Sequence, residues 1–333
     1  MRPRVVLGFS GGVDSAVAAK LLGISGWDVR CVYLETGSGE ADSARESAER
    51  MGLPLEVIDA REALEREVCA PFERAYLSGA TPSPCVLCNR RVKLALLSEA
   101  ADAMGARHIA TGHYAAARMG ALFRARPEND QSYMLCLVTR GEAARLVLPL
   151  GGYIKREVRA IAAGFGLPQA GKPDSMEICF IPDGDFAEWI ERRGAAPGPG
   201  ALIYKGERVG THGGAHRYTL GQRRGLGFAA GRRVFVSEIR PETNEVVLSD
   251  GEGLYSSRLV TGEANWLIDR PPARIDALVR VRHSRELHPA RVTTFPDGGL
   301  EIEFAAPVRA PTPGQAAAVY SGERLICGAI IKS

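Results

Sequence analysis

Gly8-Phe9-Ser10-Gly11-Gly12-Val13-Asp14-Ser15 follows the apolar run Val5-Val6-Leu7 and leads into Ala16-Val17-Ala18-Ala19-Lys20-Leu21-Leu22, which reads as a helix. A strand, a tight glycine turn and a helix aim backbone N–H groups and a helix N-terminus at an anion, and phosphate fits such a turn. Gly11 and Gly12 let the backbone come close and take positive φ. Ser10 and Ser15 add hydroxyl donors, and Asp14 brings a carboxylate able to hold Mg²⁺ against phosphates. A Walker A loop would end in Gly-Lys-Ser/Thr, and no lysine stands there; the Rossmann spacing G-x-G-x-x-G is absent too. The plainer reading is an ordinary strand–turn–helix corner.

Working outward, Val29–Leu34 reads as a second strand, Ala41 to Met51 as a helix closed by Gly52, and Leu55–Asp59 as a third strand. That alternation is the rhythm of a parallel sheet with helices on its faces, whose ligands bind beyond the carboxyl ends of the strands. Arg61 to Tyr76 reads as helical, and the pattern then breaks at Gly79-Ala80-Thr81-Pro82-Ser83-Pro84. A helix is expected from about Leu94 to Met104, a fourth strand at Arg107–Ala110, a helix opening near residue 130, and another over Lys155–Phe165. Gly194–Gly200 is a linker by composition. Beyond it, short β runs at 201–204, 233–239, 245–248, 277–281, 291–295, 300–304, 316–320 and 326–331 suggest a small antiparallel barrel or sandwich.

The 333 residues suffice for two or three domains, and 45% hydrophobic with 24% charged residues is ordinary for a globular chain. No apolar stretch approaches the ~20 residues that span a bilayer, so no membrane role is expected. The N-terminus runs straight into a strand, and seven scattered cysteines form no disulfide framework; both point to the cytoplasm. Formal charge is −1 for residues 1–199 and +4 for 200–333. This mild basic bias is compatible with a nucleic-acid partner.

Cys85 and Cys88 form C-x-x-C. As zinc ligands they lack a properly spaced second pair, His108 and His113 being poorly placed. A redox dithiol is a second reading. In a third, Cys88 alone is reactive, its thiolate favoured by a helix N-terminus and by Arg90 and Arg91. Cys179, between Ile178 and Phe180, reads as a packed core cysteine, as do Cys31, Cys69, Cys136 and Cys327.

Residues 10–15 match the SGGxDS signature of the ATP-pyrophosphatase (PP-loop) enzymes. The wider chain resembles the bacterial tRNA-specific 2-thiouridylase family, at Thr81–Asn89, Ala110–Tyr114, Asp130-Gln131-Ser132-Tyr133, Asp174-Ser175 with Ile178–Ile181, Gly210–His212, Thr219–Gly227 and Thr312–Gln315. The resemblance implies an α/β fold with domains over 1–182 (PP-loop chemistry), 183–252 (tRNA binding) and 253–333 (β-barrel-like). It also implies ATP-dependent 2-thiolation of the wobble uridine of tRNA. ATP, with Mg²⁺ near Asp14, would bind Gly8, Phe9, Ser10, Gly11, Gly12, Val13, Asp14, Ser15, Leu34 and Gly112. Cys88 would be the nucleophile and Cys179 the persulfide carrier, forming a transient disulfide with it. That reverses the packing role read for Cys179 from its neighbours. Ser83, Pro84 and Cys85 would lie beside the target base, and Asn129, Asp130, Gln131, Arg282 and His283 would touch tRNA. A persulfide donor protein of the sulfur-relay or cysteine desulfurase type and a reductant are implied partners. The chain departs from the family at Ser83 (usually Asn), Cys85 (often Asp), Asn129 (Lys), Glu177 (Gly) and His283 (Tyr). The alternatives are therefore a PP-loop sulfurtransferase or adenylating synthetase acting on another RNA or a small molecule, and a catalytically silent tRNA-binding or sulfur-carrier protein.

Overall fold

The computed structural model describes residues 2–171, 178–181, 183–194 and 196–333. Asp174, Ser175 and Glu177, named above, lie outside the described residues, as does Pro182.

The first sheet is parallel and grows from β1 (Arg4–Gly8), β2 (Asp28–Glu35), β3 (Leu55–Asp59) and β4 (His108–Ala110). An antiparallel hairpin follows, β5 (Ala116–Arg118) with β6 (Ala121–Phe123), and then the two-residue β7 (Leu146–Val147). The sheet order is β3-β2-β1-β4-β7. β1 is central and covered on both faces, which is why Val5, Val6 and Leu7 form an unbroken apolar run with no exposure. One face carries the helices Val13–Ile24 and Lys155–Gly164, and the other carries Leu94, Leu97, Ala100 and Ala101. The chain leaves β1 toward β2 on one side and pairs with β4 on the other, so the order reverses between β1 and β4. The glycine turn sits at that switch point, beyond the carboxyl ends of both strands.

The helix expected from Leu94 begins ten residues earlier. It runs over 84–103 as Pro84–Cys88, a wide π turn Asn89–Lys93 and Leu94–Ala103. Pro84 stands at its first position, where a fixed φ and a missing N–H cost nothing; the proline-rich loop therefore ends at a helix start. The helix over 61–77 carries a similar π turn, Glu65–Cys69. In place of the helix near residue 130 there is one 3₁₀ turn, Ser132–Leu135. The Asp130 carboxylate accepts from Ala125 N and Ser132 N (2.9 and 3.1 Å) and ties this stretch into a turn.

The central sheet has the order β10-β11-β8-β9, from β8 (Gly200–Tyr204), β9 (Glu207–His212), β10 (Phe235–Arg240) and β11 (Glu245–Ser249). The C-terminal sheet is antiparallel: β12 (Tyr255–Glu263), β13 (Asn265–Trp266), β14 (Arg274–Arg280), β15 (His288–Thr294), β16 (Gly299–Arg309), β17 (Ala316–Ser321) and β18 (Arg324–Ile330). It does not stop at the C-terminal residues, because β6 pairs with β18, Arg324 opposite Phe123. Beneath that seam Leu122, Tyr133, Leu135 and Cys136 share one core with Ala316, Ala318, Tyr320 and Leu325. Gly328 allows the closest approach there, since a Cβ would lie 2.2 Å from the Cys136 carbonyl oxygen. Among the described residues no helix is long and apolar enough to cross a membrane.

Candidate active site

The glycine turn has the construction of an anion cradle. Phe9 and Val13 bury their side chains in the core and offer only backbone, while Gly11 takes φ +72° with Ala44 3.1 Å from where a Cβ would stand. The backbone N–H groups of Ser10, Gly11, Val13, Asp14 and Ser15 donate to no described residue, and they gather at the N-terminus of the Val13–Ile24 helix. The Ser10 and Ser15 hydroxyls lie 3.3 Å apart beside them. Gly112 closes the cradle from β4. A Cβ there would meet the Asp14 carbonyl carbon at 3.1 Å and Ser15 N at 3.2 Å.

The Asp14 carboxylate takes Lys155 Nζ at 2.7 and 2.9 Å and the Tyr114 hydroxyl at 2.7 Å. Among the described residues no group of three His, Cys, Asp or Glu could hold a metal ion. Asp14 already faces a cation, Lys155.

Cys88 closes the first helical segment after Pro84 and is half-buried; Cys85 and Cys179 are exposed. Leu34, Cys88 and Phe180 pack against one apolar group, Ala60, Leu64, Val68, Cys69 and Val92. This brings the end of β2, the 84–103 helix and the Cys179 segment together. Cys179 is near enough to Cys88 and Cys85 for their charges to repel. Desolvation by the surrounding protein, and then Cys88, hold its thiol up to about 11, while Lys93 opposes them. Cys85 is likewise raised by desolvation and drawn down by Lys93. Arg90 and Arg91 do not supply this charge: they turn to Glu142 (3.8 Å) and Glu67 (3.5 Å). Burial, with Lys93 adding to it, drives His113 down to about 3. The imidazole is thus neutral, and its Nδ1 lies 2.7 Å from Thr111 Oγ1. The charge of the same lysine thus acts on the thiols and on the residue after Gly112.

Three family models match in sequence along the chain: a tRNA methyl transferase HUP domain over residues 3–183, a tRNA methyl transferase PRC-barrel domain over 190–250 and an aminomethyltransferase beta-barrel domain over 256–331. The tRNA-specific 2-thiouridylase MnmA of Pelotomaculum thermopropionicum is 38% identical over 359 residues, covering 100% of this chain and 98% of that protein. The protein of the same name from Chloroflexus aurantiacus is 40% identical over 348 residues, covering 97% of each. The chain belongs to the tRNA-specific 2-thiouridylase family. Among solved structures, a 4-thiouridine synthetase–RNA complex with bound ATP aligns with TM-score 0.38 and 16% identity, over 57% of this chain and 50% of that one.

In this family member the residues named for the base and for tRNA fall into two groups. The Ser83 hydroxyl lies 3.3 Å from that of Tyr133, which donates to the Ala316 carbonyl (3.0 Å), and the Tyr133 and His283 rings lie 6.4 Å apart. Arg282 donates to the carbonyls of Arg309 and Ala310. Tyr133 thus bridges Ser83, and with it the start of the 84–103 helix, to His283 where the first and last sheets adjoin. The others are committed to the protein. Asn129 Oδ1 accepts the backbone N–H of Lys155 (3.0 Å), and Gln131 Oε1 that of Tyr114 (3.0 Å). Asp130 is 9% exposed and paired at 2.9 Å with Arg280, itself 2% exposed. These three position Lys155, Tyr114 and the 3₁₀ turn. Lys93 and Lys155 escaped the sequence reading. Lys155 could have been suspected as the first residue of a helix following a loop, whereas the π turn that rotates Lys93 toward the Cys88 face has no mark in the sequence.

Proposed function

We propose that this chain uses ATP to activate the C2 oxygen of the wobble uridine of tRNA and replaces that oxygen with sulfur carried by Cys179. Attack of the uridine O2 on the α-phosphate releases pyrophosphate and leaves AMP bonded to O2. The terminal sulfur of a Cys179 persulfide then attacks C2, and AMP departs with the C2–O electron pair. The Cys88 thiolate attacks the Cys179 sulfur, breaking the S–S bond. This gives 2-thiouridine and a Cys88–Cys179 disulfide, which a dithiol reductant reopens. The reading rests on one juxtaposition: N–H donors of residues 10–15 that meet no described acceptor lie beyond the end of β1, and Leu34 at the end of neighbouring β2 packs with Cys88 and Phe180 against one apolar group.

ATP enters as its magnesium complex, the metal travelling with the phosphates. The persulfide comes from a sulfur-relay or desulfurase-type donor protein, in the cytosol where tRNA and thiol reductants coexist. Residues 1–182 perform the chemistry, while 183–252 and 253–333 hold the tRNA. The uridine leaves the anticodon stack to reach the cysteines, as base-modifying enzymes require.

The test is thiolation of unmodified tRNA with Mg-ATP and a persulfide source, comparing wild type with Cys88→Ala and Cys179→Ala. Thiolated tRNA from wild type alone, with AMP and pyrophosphate released, is the expected result. ATP consumption without tRNA thiolation would move the acceptor elsewhere, and activity independent of both cysteines would remove their roles.

A further inference from the structure

Lys93 ends the π turn of the 84–103 helix, half-buried, and pairs with no carboxylate among the described residues. In an uninterrupted α-helix, five residues separate two side chains by about 140° around the axis. The π turn, in which Leu94 N donates to Asn89 O, inserts one residue and removes about 100° of that separation. Lys93 is thereby brought within about 40° of the Cys88 face. A wide turn in a helix forfeits regular bonding, and such turns recur where a side chain must be re-aimed.

We propose that Lys93 is the cation that holds the transferring sulfur as an anion between Cys179 and the activated base. The inference rests on the function proposed above. The persulfide loses its proton to water, and its terminal sulfur, now negative, rests against the Lys93 ammonium. It then attacks C2 as AMP leaves with the C2–O electron pair, and Lys93 stays protonated throughout, lending charge and no proton. Cys88 and Phe180, the neighbour of Cys179, pack in one apolar group, so the helix face that Lys93 shares with Cys88 is turned to the Cys179 segment. Among the described residues Cys88, Cys85, Cys69 and Tyr33 are the acids whose ionisation opposes an anion at Cys179, and Lys93 is the side-chain cation that favours one.

The test measures two things on the full-length protein. Carbamidomethylation of Cys179 by iodoacetamide, followed by peptide mass spectrometry from pH 6 to 10, needs neither tRNA nor ATP. Lys93→Met is expected to move its midpoint upward, leaving roughly tenfold less thiolate at a fixed pH, and Lys93→Arg to restore it. In the thiolation assay Lys93→Met should lower kcat about tenfold with KM for ATP unchanged, again with rescue by arginine. An unmoved Cys179 midpoint overturns the proposal. So does a raised KM for ATP with unchanged alkylation, which would make Lys93 a nucleotide phosphate ligand. If the wild type thiolates no tRNA while the midpoint still shifts, the proposed function fails and the electrostatic role of Lys93 stands. Lys93→Gln carries the same test should the methionine variant not fold.

Discussion

At the scale of single residues, the cradle was legible because its chemistry is written in consecutive positions: a glycine at positive φ, hydroxyls at either end, and a helix behind. Gly112 has no such context in the sequence, and its reason is steric. Gly112→Ala would push a methyl against Asp14 and Ser15, so KM for ATP should rise about tenfold with thermal stability little changed; unaltered ATP kinetics would show that the loop yields freely. His113 makes a pH prediction. Its folded pKa is near 3, far below the unfolded value of about 6.5. The unfolded chain therefore binds the extra proton first as pH falls, and folding stability declines from about pH 6.5 toward 3, full stability lying above that window. One such group contributes a slope of about 1.4 kcal/mol per pH unit at most. Chemical denaturation of His113→Asn from pH 7 to 4 should show a shallower loss than wild type, and parallel curves would contradict a buried neutral imidazole.

At the scale of elements, periodicity located four of the five parallel strands, missing only the two-residue β7, and most later ones, because each is an apolar run bounded by turn residues. It failed where tertiary bonds decide conformation. Nothing in Asn89–Lys93 announces a π turn, and Asp130 converts an expected helix start into a 3₁₀ turn by gathering N–H groups and the Arg280 guanidinium. Arg280 lies under the Tyr320 ring region, 5.7 Å from its centroid, and its Nε and Nη1 find no partner among the described residues. Asp130→Asn keeps the shape and removes the carboxylate charge paired with that buried cation. It should destabilise the protein by about 3–5 kcal/mol in urea unfolding. A loss below about 1 kcal/mol would mean that water reaches Arg280.

At the scale of the whole molecule, three segments in sequence were legible, but their fusion was not. Arg223, Arg224 and Arg233 lie exposed in the central domain and form no ion pair with a described residue. If they track tRNA phosphates, replacing each with glutamine should reduce the slope of log affinity against log salt by nearly one unit. Equal slopes would leave them as solvated surface. The seam between the first and last sheets leads to a stronger expectation. The β5–β6 hairpin comes from the first half of the chain yet completes the C-terminal sheet through β18, and Leu122 and Tyr133 have no exposure or nearly none because Ala316, Tyr320 and Leu325 cover them. Short strands with a single paired edge carry no mark in sequence of which partner they will find. A chain ended at residue 252 would leave β6 with β5 but strip it of β18, deprive the Tyr133 hydroxyl of the Ala316 carbonyl and expose a continuous apolar face. Such a fragment should aggregate or bind ANS and melt without a sharp transition, although it retains the whole glycine cradle and all three site cysteines. A cooperative melt with ATP binding in that fragment would show that the first domain folds alone. The shared sheet would then be a docking contact, not part of its core.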